Sequence, residues 1–553
     1  MPRKTIPLIG NFNSRELIGS DAAKDQKFTA ALFQTVNNSV TGNTTAYVQK
    51  RPGWAVYATP SASATPVGIY YSGSFPAVFS VFSVAGTPTL FRETTSLGAI
   101  GTNQPFISEG NISGVQCIFI ASSSDSWYFM ADAADATAYT CDTNGTTAIS
   151  DIKISGVNST AGMYVGQLVT GTNIAAGTRL ASINSAAFTA VLTIAATGTT
   201  NDGTLTKTPV AKIIDADFPA STSGPMMQMD GTIYIAESAN SGTPTKIYGS
   251  DLNSVSSWTS TNFISMTNNA GRIYGVQKIK NRIVGLAATG LEFLYNAGNA
   301  VGSPLSRVSG GAFTLGVPTS SAFTTSQDTL YVVGGGPGYG IGVFAVQEGN
   351  IRKISDSVVD SLISDTATQQ LYSYSAYGGP VLVLTTDTAA HAMMFSNGFW
   401  TNAGFDNNYL ICGAGRASPS PNGFVAFAVH NVGTSDDSIF TISSDASVFQ
   451  DNGVTYDFII RTSLINHGTD RRKFVKSIRL LADTQASGTA TLAASDDDYA
   501  NFVTLGTFDM TSMDKRIQPG GSYKGGRSYR ITHSANTAFR AWGLEIEYEV
   551  GTS

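Results

Sequence analysis

The side chains able to do chemistry in this 553-residue chain are few and scattered. Its four histidines, His391, His430, His467 and His533, stand far apart and in no ligand-spaced cluster. Zinc needs converging donors, and a nucleophile needs a base beside it, so the four are read as structural. Cys117, Cys141 and Cys412 are an odd set without the short intervals of a disulfide framework or a zinc site, and read as buried thiols. Asp496-Asp497-Asp498 could ligate calcium but lacks the regular Asp-x-Asp-x-Asp-Gly loop, and reads as a hairpin turn. Of the tight carboxylate pairs, Asp356 with Asp360 and Glu545 with Glu547, the second lies on the outer face of a strand rather than in a cleft. The glycine-rich run 334–340 is followed by Ile341-Gly342-Val343-Phe344, a strand, whereas a phosphate cradle leads into a helix. No catalytic residue, metal or cofactor is assigned.

The cations are a different matter. Arg471, Arg472, Lys473, Lys476 and Arg479 are joined by Lys515, Arg516, Lys524, Arg527, Arg530 and Arg540, in a chain whose net charge is −6. Such a concentration suits either phosphate contacts or a docking face with an acidic complement. An overall negative charge is ill suited to holding a polyanion tightly, which favours docking.

These residues must be carried by strands. Charged residues are 13% of the chain, against roughly a quarter in an average soluble domain. Short runs of Val, Ile, Phe, Tyr and Thr alternate with Gly, Asn, Asp or Pro throughout, the pattern of β-strands. Helical periodicity is confined to 355–364 and 131–138. Clusters of strands recur from residue 56 to about 450, which suggests four-stranded blades around an axis. From Lys473 the chain alternates, placing Phe474, Lys476, Ile478 and Leu480 on one face and Val475, Ser477 and Arg479 on the other. In the closing strand, Trp542, Leu544, Ile546 and Tyr548 share a face. The expected fold is all-β: a β-propeller, a C-terminal β-sandwich or jelly-roll-like module, and a small inserted β-domain. The divisions are an N-terminal arm and lead-in (1–55), propeller (56–139), inserted domain (140–210), remaining propeller (211–455) and C-terminal module (456–553). The arm is expected to run along later domains or a neighbouring subunit. Met1-Pro2-Arg3-Lys4 is followed by no apolar stretch, and no run approaches the ~18 apolar residues that span a bilayer, so assembly in a reducing cytoplasm is expected.

Three stretches resemble one family. The ending, with its basic strand, Ser495-Asp496-Asp497-Asp498 turn, Gly525-Gly526-Arg527-Ser528-Tyr529-Arg530-Ile531 and Trp542-Gly543-Leu544-Glu545-Ile546-Glu547-Tyr548, resembles the tail-nozzle, or packaged-DNA stabilization, proteins of short-tailed bacteriophages. Tyr47-Val48-Gln49-Lys50-Arg51-Pro52-Gly53-Trp54 is similar to that family's lead-in to the first blade, and 271–295 with Gly316-Val317-Pro318 and 334–355 to its middle. The resemblance implies a β-propeller of about six blades and a structural virion protein, not an enzyme: a homohexameric ring that extends the portal channel, retains packaged DNA and gates its ejection. Its implied partners are further copies of itself, portal-proximal adaptor or head-completion proteins, tail fibre or needle proteins, and DNA in the lumen without tight binding. Residues proposed for assembly are Lys50, Arg51, Pro52, Gly53, Trp54, Arg471, Arg472, Lys473, Lys476 and Arg479. A receptor-binding adhesin and a propeller-type polysaccharide depolymerase are the alternatives.

Overall fold

A computed structural model describes residues 3–8, 28–37, 44–101, 105–133, 138–143, 153–155, 160–187, 189–198, 200–238, 246–267, 271–363, 369–376, 379–386, 392–404, 409–416, 424–430, 438–443, 448–497 and 499–552. They are almost wholly β. The expected helix near 355–364 is the short Ser357–Leu362, capped by Asp356, whose carboxylate accepts the Val359 amide at 3.0 Å. The other helical expectation, 131–138, is a turn at its start and a strand from Ala138, and 134–137 lie outside the described residues.

The described residues form seven four-stranded antiparallel blades, five of them separate sheets and the second and sixth parts of larger sheets, where the resemblance implied about six. In chain order their first strands are Thr65–Ser72, Phe106–Ile112, Thr222–Met229, Ile273–Ile279, Phe323–Ser326, Gln370–Ala376 and Tyr409–Arg416, and these begin blades one to seven. First strands of successive blades pack together, and that of blade seven returns to that of blade one. The core lies in the seams between blades. Phe427, Val429 and Ile439 of blade seven, for example, pack on Val78, Phe82 and Phe91 of blade one. Hydroxyls bind neighbouring blades near the axis: Ser223 donates to the Tyr274 carbonyl at 3.1 Å, and Thr324 and Ser373 lie 3.0 Å apart. Crowding there demands glycine, since a Cβ on Gly224 would stand 2.7 Å from the Gly275 Cα.

Six blades are built from strands that follow one another along the chain, apart from the insertion in blade two. Blade seven is not. Its outer strand is Ala55–Ala58, from the beginning of the chain, paired with Ile439–Ser443. Strands brought from opposite ends of the propeller close the ring non-covalently.

Both ends of the chain build the second body. Arg540–Val550 pairs with Arg3–Pro7, with Thr44–Lys50 and with Lys473–Ala482 in one sheet. Phe458–Arg461, Ser528–His533, Thr489–Ser495 and Val503–Asp509 form the facing sheet. Between them lie Val48, Phe458, Ile478, Leu492, Phe508, Ile531, Leu544 and Ile546. The described strands of the N-terminal arm, Arg3–Pro7 and Thr44–Lys50, are therefore part of the sandwich rather than a tail laid over it. Phe28–Thr29 bridges blade six and the sandwich, since Thr29 pairs with both Asn402 and Ile459. One continuous sheet thus joins the two bodies.

The insertion has its own small core of Tyr139, Cys141, Met163, Val169, Leu180, Ala190, Leu192 and Leu205. It hangs from the outer edge of blade two through the long strand Thr200–Lys212. That strand's first half pairs with Ala138–Thr143 and its last residues with Trp127–Phe129. Among the described residues no helix is long and apolar enough to cross a membrane.

Candidate functional site

The structure places the sequence-derived assembly residues in two different settings. Lys50, Arg51, Pro52, Gly53 and Trp54 are all buried, where the chain passes from the sandwich strand Thr44–Lys50 to the outer strand of blade seven. Arg51, 1% exposed, grips Asp451 with both ends of its guanidinium: Nη1 donates to Oδ1 at 2.9 Å and Nη2 to Oδ2 at 2.5 Å. Its Nε donates to the Ala403 carbonyl of the blade-six segment at 2.5 Å, and its face lies 4.0 Å from the centre of the Tyr456 ring. The Tyr456 hydroxyl donates to the Arg51 carbonyl. Burial opposes the charge, yet Asp451 holds the guanidinium above its ordinary range. Lys50 lies 4.5 Å from the centre of the same ring and donates to the Ala535 carbonyl at 2.9 Å. Burial first, and then the Arg51 charge, lower its ammonium to about 8. A Cβ on Gly53 would sit 2.1 Å from the Gln450 carbonyl oxygen, so this approach needs glycine. These five residues cannot serve as a docking surface in the folded chain. They form a clasp that fastens the sandwich to blades six and seven.

The basic strand also departs from expectation. A β-bulge between Val475 and Ser477 changes the alternation, so Val475, Ile478 and Leu480 all face the core while Phe474 is exposed. Trp542 likewise points outward, and Leu544, Ile546 and Tyr548 inward. Lys473 is buried, its ammonium donating to the Thr469 and Gly525 carbonyls. Lys476 pairs with Glu549 at 2.7 Å, and Arg479 with Asp514 at 3.0 Å. Arg527 is bidentate on Asp496 at 2.6 Å, and Arg540 pairs with Asp483. Much of the cationic character read from sequence is thus matched within the module: residues 456–553 carry 12 Lys and Arg against 11 Asp and Glu. Arg471 and Arg472 remain exposed at its end, with Arg472 donating to Ser522 at 3.1 Å. Phe474 packs beside Gly551 there, and Lys473 pairs in register with Val550, so an apolar margin adjoins the two arginines.

The other candidates have structural roles. Asp496 serves Arg527, while Asp497 accepts from Ser495 Oγ at 2.7 Å and from the Asn501 amide at 3.0 Å, which hold its carboxyl at about 2. Asp498 lies outside the described residues. Asp360 accepts from Lys353 and Ser355 at 2.6 Å each. Glu545 and Glu547 face Arg3 and Arg516. The 334–340 run is pinned to the preceding loop by the Gly316 amide on the Gly335 carbonyl at 2.8 Å. The His467 ring lies 4.0 Å from the Tyr548 ring, tilted by 34°, and burial with Lys4 and Lys473 nearby lowers it to about 4. His533, fully buried against Phe539, is lowered to about 4 by burial and by Lys50. His391 and the side chains of His430 and Cys412 fall outside the described set. Cys117 and Cys141 are buried, and burial raises the Cys117 thiol. Among the described residues no three His, Cys, Asp or Glu side chains converge as a metal site. The partners that complete the clasp, Asp451 and Tyr456, were not singled out in the sequence. They lie some 400 positions from Arg51, and their only local sign is the tight turn Asp451-Asn452-Gly453.

Residues 123–378 match the family model described as Bacteriophage P22 Gp10, beta-propeller. The matched stretch runs from blade two through the insertion and blades three to five into blade six. No curated protein sequence matches the chain. Among solved structures, it is similar to the N-terminal domain of Nup159 at 8% identity and a TM-score of 0.34, over 75% of this chain and 98% of that one. It is also similar to the Myceliophteria thermophila Cps50 (Swd1) β-propeller domain, at 7% identity and TM-score 0.28, over 70% of this chain and 99% of that one. A third is an exo-β-1,3-galactanase from Phanerochaete chrysosporium solved with galactose, at 9% identity and TM-score 0.24, over 60% and 98%.

Proposed function

We propose, from the match of residues 123–378 to the family model described as Bacteriophage P22 Gp10, beta-propeller, that this protein is the nozzle or hub of a phage tail. In this reading copies of the chain form a ring that extends the portal channel, holds back packaged DNA and opens on ejection. The family match is the observation that carries it.

The architecture suits a mechanical part. A propeller closed by strands from both its ends, clasped by a buried ion pair and joined to the sandwich by one continuous sheet, transmits force without sliding. The near balance of charge in the C-terminal module supports docking over DNA binding, since phosphate contacts require an excess of cations. The docking surface is narrowed to Arg471 and Arg472 with the adjoining Phe474, and its partner is an acidic face of the preceding tail ring. The reading requires no catalytic residue, and purified protein should release no reducing ends from capsular or lipopolysaccharide sugars. The test uses particles carrying Arg471→Glu with Arg472→Glu, leaving the buried Lys473 intact. Each desolvated charge pair lost at an interface costs ~2–5 kcal/mol, so these particles should lose their tails and leak DNA. Particles that keep both would contradict the docking surface.

A further inference from the structure

Cations on the outer face of the first sandwich sheet are met by carboxylates: Lys476 by Glu549, Arg516 by Glu547 and Arg540 by Asp483. The facing sheet departs from that pattern. Its strands send Ile460, Ile531 and Leu492 into the core and turn the residues between them outward. Arg461 thereby stands directly opposite Arg530 on the outer face, with Ala493 next in the same row. Like charges opposite one another across a strand pair oppose folding.

Phe502 lies against both arginines. Its ring centre is 5.6 Å from the Arg461 guanidinium and 4.5 Å from that of Arg530, so the two charges stand within roughly one Debye length of each other. The ring is fixed by the residue before it. Asn501 donates its backbone amide to Asp497 Oδ1 at 3.0 Å and its side-chain amide to Oδ2 at 2.7 Å. All three members of the cluster are half-buried. Arg530 Nε is buried without an acceptor, and no described carboxylate pairs with its guanidinium. A donor left so carries the full cost of its lost hydration. The nearby acids are already engaged: Asp496 by both ends of Arg527, and Asp497 by Ser495 and Asn501. Two facing cations and an orphaned donor together describe a place for an anion that the described residues do not supply.

We infer that Arg461, Arg530 and Phe502 form an anion site on the outer face of the sandwich, and that it takes a phosphate group. One carboxylate satisfies one guanidinium fork. Two adjacent forks suit an anion with three or more oxygens and up to two charges, which is a phosphate monoester. Thr491 and Thr532 stand opposite each other in the neighbouring row of the same face, and their hydroxyls engage no other described residue. They extend the site with neutral donors and acceptors, as a phosphate carried on a sugar would require. Two cations neutralise one such group, so the site recognises a single phosphate and does not track a duplex.

The test is calorimetric titration of the full chain with inorganic phosphate, with glucose 6-phosphate and with glucose, each paired with a melting curve. Both phosphates should bind saturably and raise the melting temperature with concentration, and glucose should do neither. Tighter binding of glucose 6-phosphate would assign the threonine row to a sugar, and equal binding would make the phosphate the whole ligand; either upholds the site. Arg530→Gln should weaken phosphate binding about tenfold or more, the loss of a charge-assisted bond. Its melting temperature without ligand should not fall, because a like-charge contact has been relieved. Arg352→Gln, at an exposed arginine of the propeller, should bind as the wild type does. Wild-type protein that binds neither phosphate would overturn the inference. Unchanged binding by Arg530→Gln, or equal weakening by Arg352→Gln, would overturn it too. So would binding that appears only in Asp498→Asn, since a carboxylate of the chain would then fill the site.

Discussion

Arg51 ties three parts of the chain together through one guanidinium: the sandwich strand before it, the blade-six segment at Ala403, and Asp451 at the start of the return to the sandwich. Removing one partner of a buried pair strands the other charge at a cost of about 3–5 kcal/mol. Asp451→Asn should therefore lower thermal stability by that order. Arg51→Lys should fail to restore it, because lysine cannot make the bidentate grip. Gly53→Ala should be comparably damaging, with a methyl group forced against the Gln450 carbonyl. Melting curves of the three variants check this, and wild-type stability in any of them would deny the clasp its role. The buried histidines make a second forecast. His467 and His533 have folded values of about 4, below their ordinary value near 6.5. The unfolded chain binds more protons between those limits, so stability is full above about pH 6.5 and is lost as pH falls toward 4. The loss is of the order of 3 kcal/mol for a fully buried histidine. His533→Gln should flatten the decline in melting temperature between pH 7 and pH 5. The structural reading of these histidines was legible from their isolation in sequence. The burial of the clasp was not, because Lys-Arg-Pro-Gly-Trp looks like a polar, exposed loop until Asp451 and Tyr456 are brought to it.

At the scale of elements, alternation located most strands and misassigned some faces. The bulge at Lys476 and the shift near Gly543 each reverse the parity of everything beyond them, and no residue type marks a bulge unambiguously. The inserted module was legible from its change of rhythm, but its boundaries were set by pairing that sequence does not show. Phe129 lies opposite Val210, so the excursion leaves and returns on adjacent strands. Excision of 134–207, joining Ala133 to Thr208 through a short Gly/Ser turn, should give a soluble propeller. It should be somewhat less stable, since Trp127 loses the Arg179 guanidinium 4.8 Å from its ring centre and Tyr128 loses the Tyr164 ring. Excision of 146–208 instead leaves Ala138–Thr143 without the strand it pairs with, an unprotected edge prone to aggregation. Expression and size-exclusion profiles of the two deletions separate these outcomes, and equal solubility would show that the boundary is placed wrongly.

At the scale of the molecule, the all-β class, the propeller, the sandwich and the insertion were all present in the pattern of short runs and turns. The closing strand of blade seven and the assembly of the sandwich from both chain ends were not, because they depend on pairings between residues hundreds of positions apart. Those same pairings make the chain one mechanical unit, suited to a fixed place on the tail axis. That place is the central claim. It is tested most directly by imaging the purified protein bound to a portal–adaptor complex. The account predicts a closed ring of the chain, coaxial with the portal and attached at its distal end. Copies attached to the side of the tail as trimers, or no attachment to the adaptor at all, would contradict it.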